Sequence, residues 1–242
     1  MADSATIPWV RTDGMGDRVV SVATVRSRRL DYSESTRDAL VDSAVELFTK
    51  RGYAGTSLDE VAKRARVTKG ALYHHFNGKQ ALFEAAFDAV ETKAMRRLGE
   101  IVSGPGHPWE TAMAGLRAYV RVCLDPAFQR IVVHEGPVVM GWARWREAEE
   151  HFSYGVIRQS VAALVESGEI EEMPVEVMSR LLYGALSAGA SMIAGAADPR
   201  KASEEVAWSI TRVVSGLRRP AAAGADGPAE PADRLSSRRR RR

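Results

Sequence analysis

Residues 52–87 read GYAGTSLDEVAKRARVTKGALYHHFNGKQALFEAAF. Gly52 sits where a helix would stop, because glycine takes the left-handed conformation that closes a helix C-terminus. Ser57 with Glu60 three residues on has capping-box spacing, and Leu58, Val61, Ala62 and Ala65 follow at helical intervals. Thr68 is a good N-cap for a further short segment ending near His75. In that segment Leu72 and Phe76 can point inward, leaving Thr68, Lys69, Tyr73 and His74 on a polar outer face. Only Ala65-Arg66-Val67 separates the two segments, which is the arithmetic of a helix-turn-helix. Taken locally, the same pattern also fits an ordinary helical hairpin in a bundle.

The chain on either side is helical in period. Upstream, Leu40, Ala44, Leu47 and Phe48 lie at i, i+4, i+7 and i+8, with Ser35 and Asp38 offering a capped start. Downstream, Asn77 and Gln80 have capping-box spacing, and a helix runs from there to about Val102. Gly104, Pro105, Gly106 and Pro108 break it. Helices are then predicted from Trp109 to Cys123, over about 141–167 with Gly168 as the stop, and over about 174–197 and 199–217. About nine helices and no strand make an all-α protein. Four regions are expected: a disordered basic extension over 1–34, a three-helix DNA-binding domain over 35–80, a larger helical domain over 81–218 and a disordered Arg-rich tail over 219–242.

The 242 residues carry a net charge of +3, unevenly spread. Residues 1–82 hold 13 Lys/Arg against 10 Asp/Glu, residues 83–217 hold 13 against 18, and residues 218–242 hold 8 against 3. Between 50 and 79, Lys50, Arg51, Lys63, Arg64, Arg66, Lys69 and Lys79 face only Asp59 and Glu60. A basic end on an acidic body suits a polyanion met at that end, and a solvated helix face has the same signature. The apolar runs read as too short and too broken by charge for a membrane span, and no secretory signal is apparent. Cys123 is the only cysteine, so neither an internal disulfide nor a cysteine-rich zinc site is available. His74 and His75 point about 100° apart on a helix with no third ligand near, so no metal or other cofactor is expected. A cytoplasmic protein is the simplest reading.

The wording of residues 36–87 resembles the N-terminal domain of the TetR family of bacterial regulators. The resemblance rests on the Gly52-Tyr53 break, the Thr56-Ser57 lead-in, Val61-Ala62, the KGALYHHF segment and Lys79-Gln80-Ala81-Leu82. It implies that Thr56 or Ser57 contacts phosphate and that Thr68, Lys69, Gly70 and Ala71 read bases and phosphates. Gly70 would let the backbone approach DNA, and Ala71 could touch a thymine methyl. Tyr73 and His74 would reach phosphates or base edges, and Lys79 with the backbone N–H groups beside it would hold a phosphate. The family usually has glycine where this chain has Arg66. If the turn needs positive φ there, a side chain costs roughly 1 kcal/mol, and Arg66 could add a phosphate contact.

Beyond residue 103 the resemblance is architectural. It implies an effector cavity in the middle helices, a small-molecule effector that is hydrophobic or aromatic, and a homodimer on palindromic double-stranded operator DNA. Cavity candidates are Trp109, Met113, Cys123, His134, Met140, Trp145 and Phe152, with Tyr119, Phe128, Trp142, Tyr154, His151 and Gln159 beside them. Gly184, Ala188, Ser191 and Gly195 form a stripe of small residues, and Ile210 and Val214 share a face with Val206 and Val213. These two faces are expected at the dimer interface. Arg26, Arg28 and Arg29 could form a minor-groove arm. The function implied is a sequence-specific regulator, a repressor released from its operator by the effector. Two alternatives stand beside it. A non-specific architectural DNA binder fits the basic tail but not the acidic body. A helical-bundle enzyme finds no phosphate loop, metal motif or nucleophile with a base.

Overall fold

A computed structural model describes the backbone of residues 16–218 and the side chains from residue 33 onward. Among the described residues there are nine α-helices and one π-helix: α1 (Gly16–Arg51), α2 (Leu58–Ala65), α3 (Lys69–His75), α4 (Lys79–Val102), α5 (Pro108–Val122), the π-helix (Phe128–Glu135), α6 (Gly136–Val139), α7 (Trp142–Glu166), α8 (Val175–Gly195) and α9 (Pro199–Ser215). Among the described residues there is no strand, only an isolated bridge between Ile170 and Arg218.

The helix stops and starts follow the local chemistry closely around α2. Gly52 has φ +74° and its N–H donates to the Phe48 carbonyl at 2.8 Å, ending α1. Ser57 and Glu60 satisfy each other's backbone N–H groups, the two halves of a capping box. Thr68 accepts from the Ala71 N–H at 3.1 Å, capping α3. The other two expected caps are not used. The cap before α4 is Gly78, at φ +98° with no side-chain bond, rather than Asn77. Ser35 lies inside α1, which begins at Gly16, so residues 16–34 are helical rather than disordered. No proline or glycine follows Gly16 until Gly52. Extending a helix costs far less than nucleating one, so an internal serine does not stop it. Residues 1–15 and 219–242 lie outside the described residues, as do the side chains of Arg26, Arg28 and Arg29.

The core is continuous from α1 to α9. At its N-terminal end Leu40, Ala44 and Phe48 of α1 meet Val61 of α2, Leu72 of α3 and Phe83 of α4, all fully buried. The Phe48 and Phe83 rings meet edge-on at 5.3 Å, and Tyr53 packs on Phe83 at 5.4 Å. Helix α4 runs out of this cluster into the body, where it packs against α5 and α7, and α8 and α9 close the far side. The close approach of α8 to α9 depends on Gly189, where a Cβ would come within 2.7 Å of Val206 Cγ1.

Helix α8 is long and apolar enough, by length and composition, to cross a membrane, which corrects the expectation that no segment meets that standard. The apolar residues are read there against few charges, Glu176 and Arg180 near one end. In the fold α8 packs on α7 and α9 with one face and leaves the other open.

Candidate nucleic-acid interface and effector cavity

The helix-turn-helix presents its polar groups on one exposed surface. Arg66 closes α2 at φ +59°, ψ +36°, the only non-glycine residue at positive φ among those described. Its N–H reaches the Ala62 and Lys63 carbonyls. The turn therefore uses the left-handed conformation that glycine would take without strain. Thr68, Lys69, Gly70, Tyr73 and His74 are exposed, and Ala71 is half-buried. A Cβ on Gly70 would meet nothing closer than Thr68 Oγ1 at 3.9 Å, so this glycine leaves open space on the outer face. The first turns of α3 and α4 contain no acidic residue, in contrast to Asp59 and Glu60 in α2. Positive helix ends free of carboxylates suit an approaching anion.

Thr56 and Ser57 divide sharply. Thr56 is 2% exposed and its hydroxyl donates to the Gly52 carbonyl at 2.9 Å, so it is a structural lock on the turn before α2. Ser57 is exposed. Lys79 is half-buried with its ammonium 4.4 Å over the Tyr53 ring, a cation–π contact that holds it beside the start of α4. Several cations are already paired: Lys69 with Asp59 at 2.8 Å, Arg51 with Glu60 at 2.5 Å, and Arg64 with Glu46. The Asp59 contact raises the Lys69 pKa. Pairs this exposed contribute little stability, so a phosphate can replace the carboxylate cheaply. His75, packed against His74 at 5.4 Å, has its pKa lowered by burial and by the neighbouring His74 and Arg37.

The π-helix ties this unit to the body. Glu135 accepts the Tyr53 N–H at 2.8 Å and the Arg130 Nε–H at 3.0 Å. A Cβ on Gly52 would strike Arg130 and come within 2.5 Å of the Glu135 carboxylate. Gly52 is thus required twice, for its φ and for this approach. The wider helical turn is held by Asp125, which accepts from the Ala127 and Phe128 N–H groups, and by Trp145, whose indole N–H donates to the Val132 carbonyl at 2.9 Å.

A cavity of about 100 Å³ lies within the body, with α4, α5, α7, α8 and α9 all contributing to its walls. Met95, Met113, Tyr119, Ile157, Leu186 and Ile210 represent the five helices. Met113 and Tyr119 are the expected residues that face it. The others are placed elsewhere. Trp145 and Cys123 are buried where they support the π-helix and α5, and Met140 is core. Trp109 lies under the Arg218 guanidinium at 4.5 Å, and Phe152 packs on the core. His134 and His151 are exposed, and Gln159 donates to Ser103 at the surface. Phe128 is core, Trp142 is exposed against Trp145, and Tyr154 lies under Arg180. Sequence reasoning sought aromatics, whereas the α7 wall is Ser153, Val156, Ile157, Ser160, Val161 and Leu164, a plain helical stripe. Ile210 and Val214, expected at a dimer interface, line this cavity instead.

Residues 40–86 match the family described as bacterial regulatory proteins, tetR family, and residues 109–217 match the tetracyclin repressor-like C-terminal domain. A crystal structure of a TetR-family transcriptional regulator from Pectobacterium atrosepticum is 30% identical, covering 78% of this chain and 96% of that one, with a TM-score of 0.70. The chain belongs to the TetR family. Among curated TetR relatives, the transposon Tn10 TetC protein of Escherichia coli is 28% identical across 66% of this chain and 80% of its own length. The transcriptional regulator AcrR of Shigella flexneri is 29% identical across 61% of this chain and 71% of its own. As a TetR-family protein the chain is a helix-turn-helix transcriptional repressor, not an enzyme.

Proposed function

We propose that this chain is a cytoplasmic homodimer that represses transcription from a palindromic operator and lets go when a small apolar molecule enters the body. The observation that carries the reading is the exposed start of α3, which has no acidic residue in its own first turn and carries Thr68, Lys69, Gly70, Tyr73 and His74 on its outer face. Gly70 and Ala71 approach base edges there, Tyr73 and His74 reach phosphates or bases, and Ser57, Arg66 and Lys79 hold the backbone. One such unit makes too few contacts for tight specific binding, so two are needed, related by a two-fold axis.

The open face of α8 supplies the surface for that axis. Gly184, Ala188, Ser191 and Gly195 are exposed along it, and a Cβ on Gly184 or Gly195 would meet nothing within 4 Å. Val177, Leu181 and Met192 flank the stripe, and Trp208 and Val213 continue it on α9, each more than half exposed. Small residues let a partner helix come close while the large ones are buried against it.

The effector acts through the cavity by preferring a state in which the two recognition helices are wrongly spaced. The test is fluorescence anisotropy of the purified protein on its own upstream intergenic DNA and on a scrambled duplex at two salt concentrations. Preference for the native duplex that persists at the higher salt supports the reading. Equal and steeply salt-dependent binding to both duplexes favours the architectural alternative.

A further inference from the structure

Glu91, on α4, is fully buried, and neither of its carboxyl oxygens has a hydrogen-bond partner. Among the described residues these are the only buried side-chain nitrogen or oxygen atoms left without one. Where every other buried side-chain nitrogen and oxygen among the described residues is satisfied, two empty acceptors mark a missing donor. Glu149, on α7, is 6% exposed and lies within electrostatic reach of Glu91. It accepts from the Tyr183 hydroxyl at 2.9 Å and from Ser187 at 3.2 Å.

The two carboxyls lie just behind the cavity wall rather than in it. Met95 and Ser153 line it, and each lies one helical turn after a carboxyl, Met95 after Glu91 and Ser153 after Glu149. Tyr119 also lines it, feels both carboxyls, and donates to the Leu186 carbonyl at 3.2 Å. The lining is mostly apolar, and at about 100 Å³ the space is about a third smaller than an engineered cavity of about 150 Å³ that holds benzene, so a ligand must push its walls apart. Met95 and Met113 are soft walls that can yield to a ring or short chain.

We propose that this cavity takes an amphiphilic cation, an aryl or short alkyl amine whose ammonium group donates to Glu91 and Glu149. The inference rests on the reading that the cavity is the effector site, and it names the chemical class. An apolar pocket with two buried carboxyls just behind its wall selects a ligand with an apolar body and a positive head, because an ammonium can form a charge-assisted pair with Glu91 whereas a neutral head leaves that carboxyl protonated and gains no ion pair. In the free protein, burial together with the nearby Glu149 and Asp88 pushes the Glu91 carboxyl up to about 8, so it is protonated at neutral pH. The ammonium displaces that proton: the protonated carboxyl and the ammonium ion become an ammonium–carboxylate pair and a proton released to solvent. The other groups facing the pair are Tyr119 and Cys123 from α5, Tyr183 from α8 and Arg146 on α7. Tyr119, Tyr183 and Cys123 have raised pKa values and stay neutral across this range. Binding therefore tightens as pH rises from 6 towards 8.

The test uses the full chain with phenethylamine and hexylamine, and with 2-phenylethanol and hexanol as neutral counterparts of similar size. Calorimetry is run in buffers of different ionisation enthalpy, and operator release is followed separately by anisotropy. The amines are expected to bind at least about tenfold tighter than the alcohols, releasing close to one proton. Glu91→Gln, which has the shape of the protonated acid, is expected to remove that preference and the proton release while leaving alcohol binding intact. Glu149→Gln is expected to weaken amine binding as well. Alcohols binding as tightly as amines, amine affinity unchanged in Glu91→Gln, or no binding of either class at millimolar concentration would each overturn the proposal. If alcohols bind and release the operator with no amine preference, the effector reading stands and the cation site falls. If amines bind as expected but the operator complex is unmoved, the cation site stands and the effector reading falls.

Discussion

Arg66 shows how much one residue can reveal. Its positive φ costs about 1 kcal/mol for a residue with a Cβ, part of which glycine would lose again to unfolded-chain entropy. Arg66→Gly is expected to raise folding stability by up to about 1 kcal/mol in urea, and to weaken operator binding with a shallower salt slope if the guanidinium holds a phosphate. A less stable variant would mean that the side chain is better placed than its backbone suggests. Glu91 makes a second prediction at this scale. Its carboxyl is raised from 4.5 to about 8, so the folded protein binds a proton that the unfolded chain releases between those values. Stability from this group is complete below pH 4.5 and is lost as pH rises through 8, on the order of 5 kcal/mol in all. Glu91→Met is expected to flatten this fall. A denaturation series from pH 5 to 8 that slopes equally in both proteins would contradict it.

Among the elements, the π-helix does the most to connect the two ends of the molecule. Glu135 at its end holds the Tyr53 N–H and Arg130, while the Trp145 indole N–H donates to the Val132 carbonyl. Hydrogen bonds to a charged group contribute about 1.5–3 kcal/mol. Glu135→Ala is expected to cost about 2 kcal/mol and to speed amide exchange at Tyr53 at least about tenfold, read by hydrogen exchange. Unchanged exchange would show that the loop before α2 is held by Thr56 and the aromatic packing alone. Nothing in the wording of residues 128–135 signals a π-helix. The helix widens because Gly136 admits the Trp145 ring, where a Cβ would come within 2.7 Å, and that ring arrives from a different helix.

For the whole molecule, the open face of α8 and α9 is the largest piece of unfinished business. Leu181 is 64% exposed, about one turn before Gly184 at the start of the α8 stripe. Leu181→Glu is expected to give a monomer in sedimentation at micromolar concentration and to abolish operator preference while leaving helicity unchanged. A variant that stays dimeric would place the two-fold axis elsewhere. The same face explains why α8 meets the length and composition of a membrane helix. Its apolar residues are shared between the core and this outer stripe, so the segment is apolar nearly all round.

The sequence by itself determined the local structure near the recognition helix, because caps, turns and short apolar periods act over a few residues. Ser57 with Glu60, Thr68, Gly52 and the three-residue turn all carry their reasons within one helical turn, and the wording of 36–87 placed the family. Helix count and approximate limits were legible for the same reason. Tertiary structure decided what depends on partners distant in the chain. It extended α1 back to Gly16, buried Thr56, turned Ile210 and Val214 into a cavity wall, and made aliphatic residues of α7 line that cavity in place of most of the aromatics. It also brought Glu91 and Glu149, 58 positions apart, within electrostatic reach of each other. Periodicity says which face of a helix is apolar, but only the packing of five helices decides whether that face meets a neighbour, a cavity or a second chain.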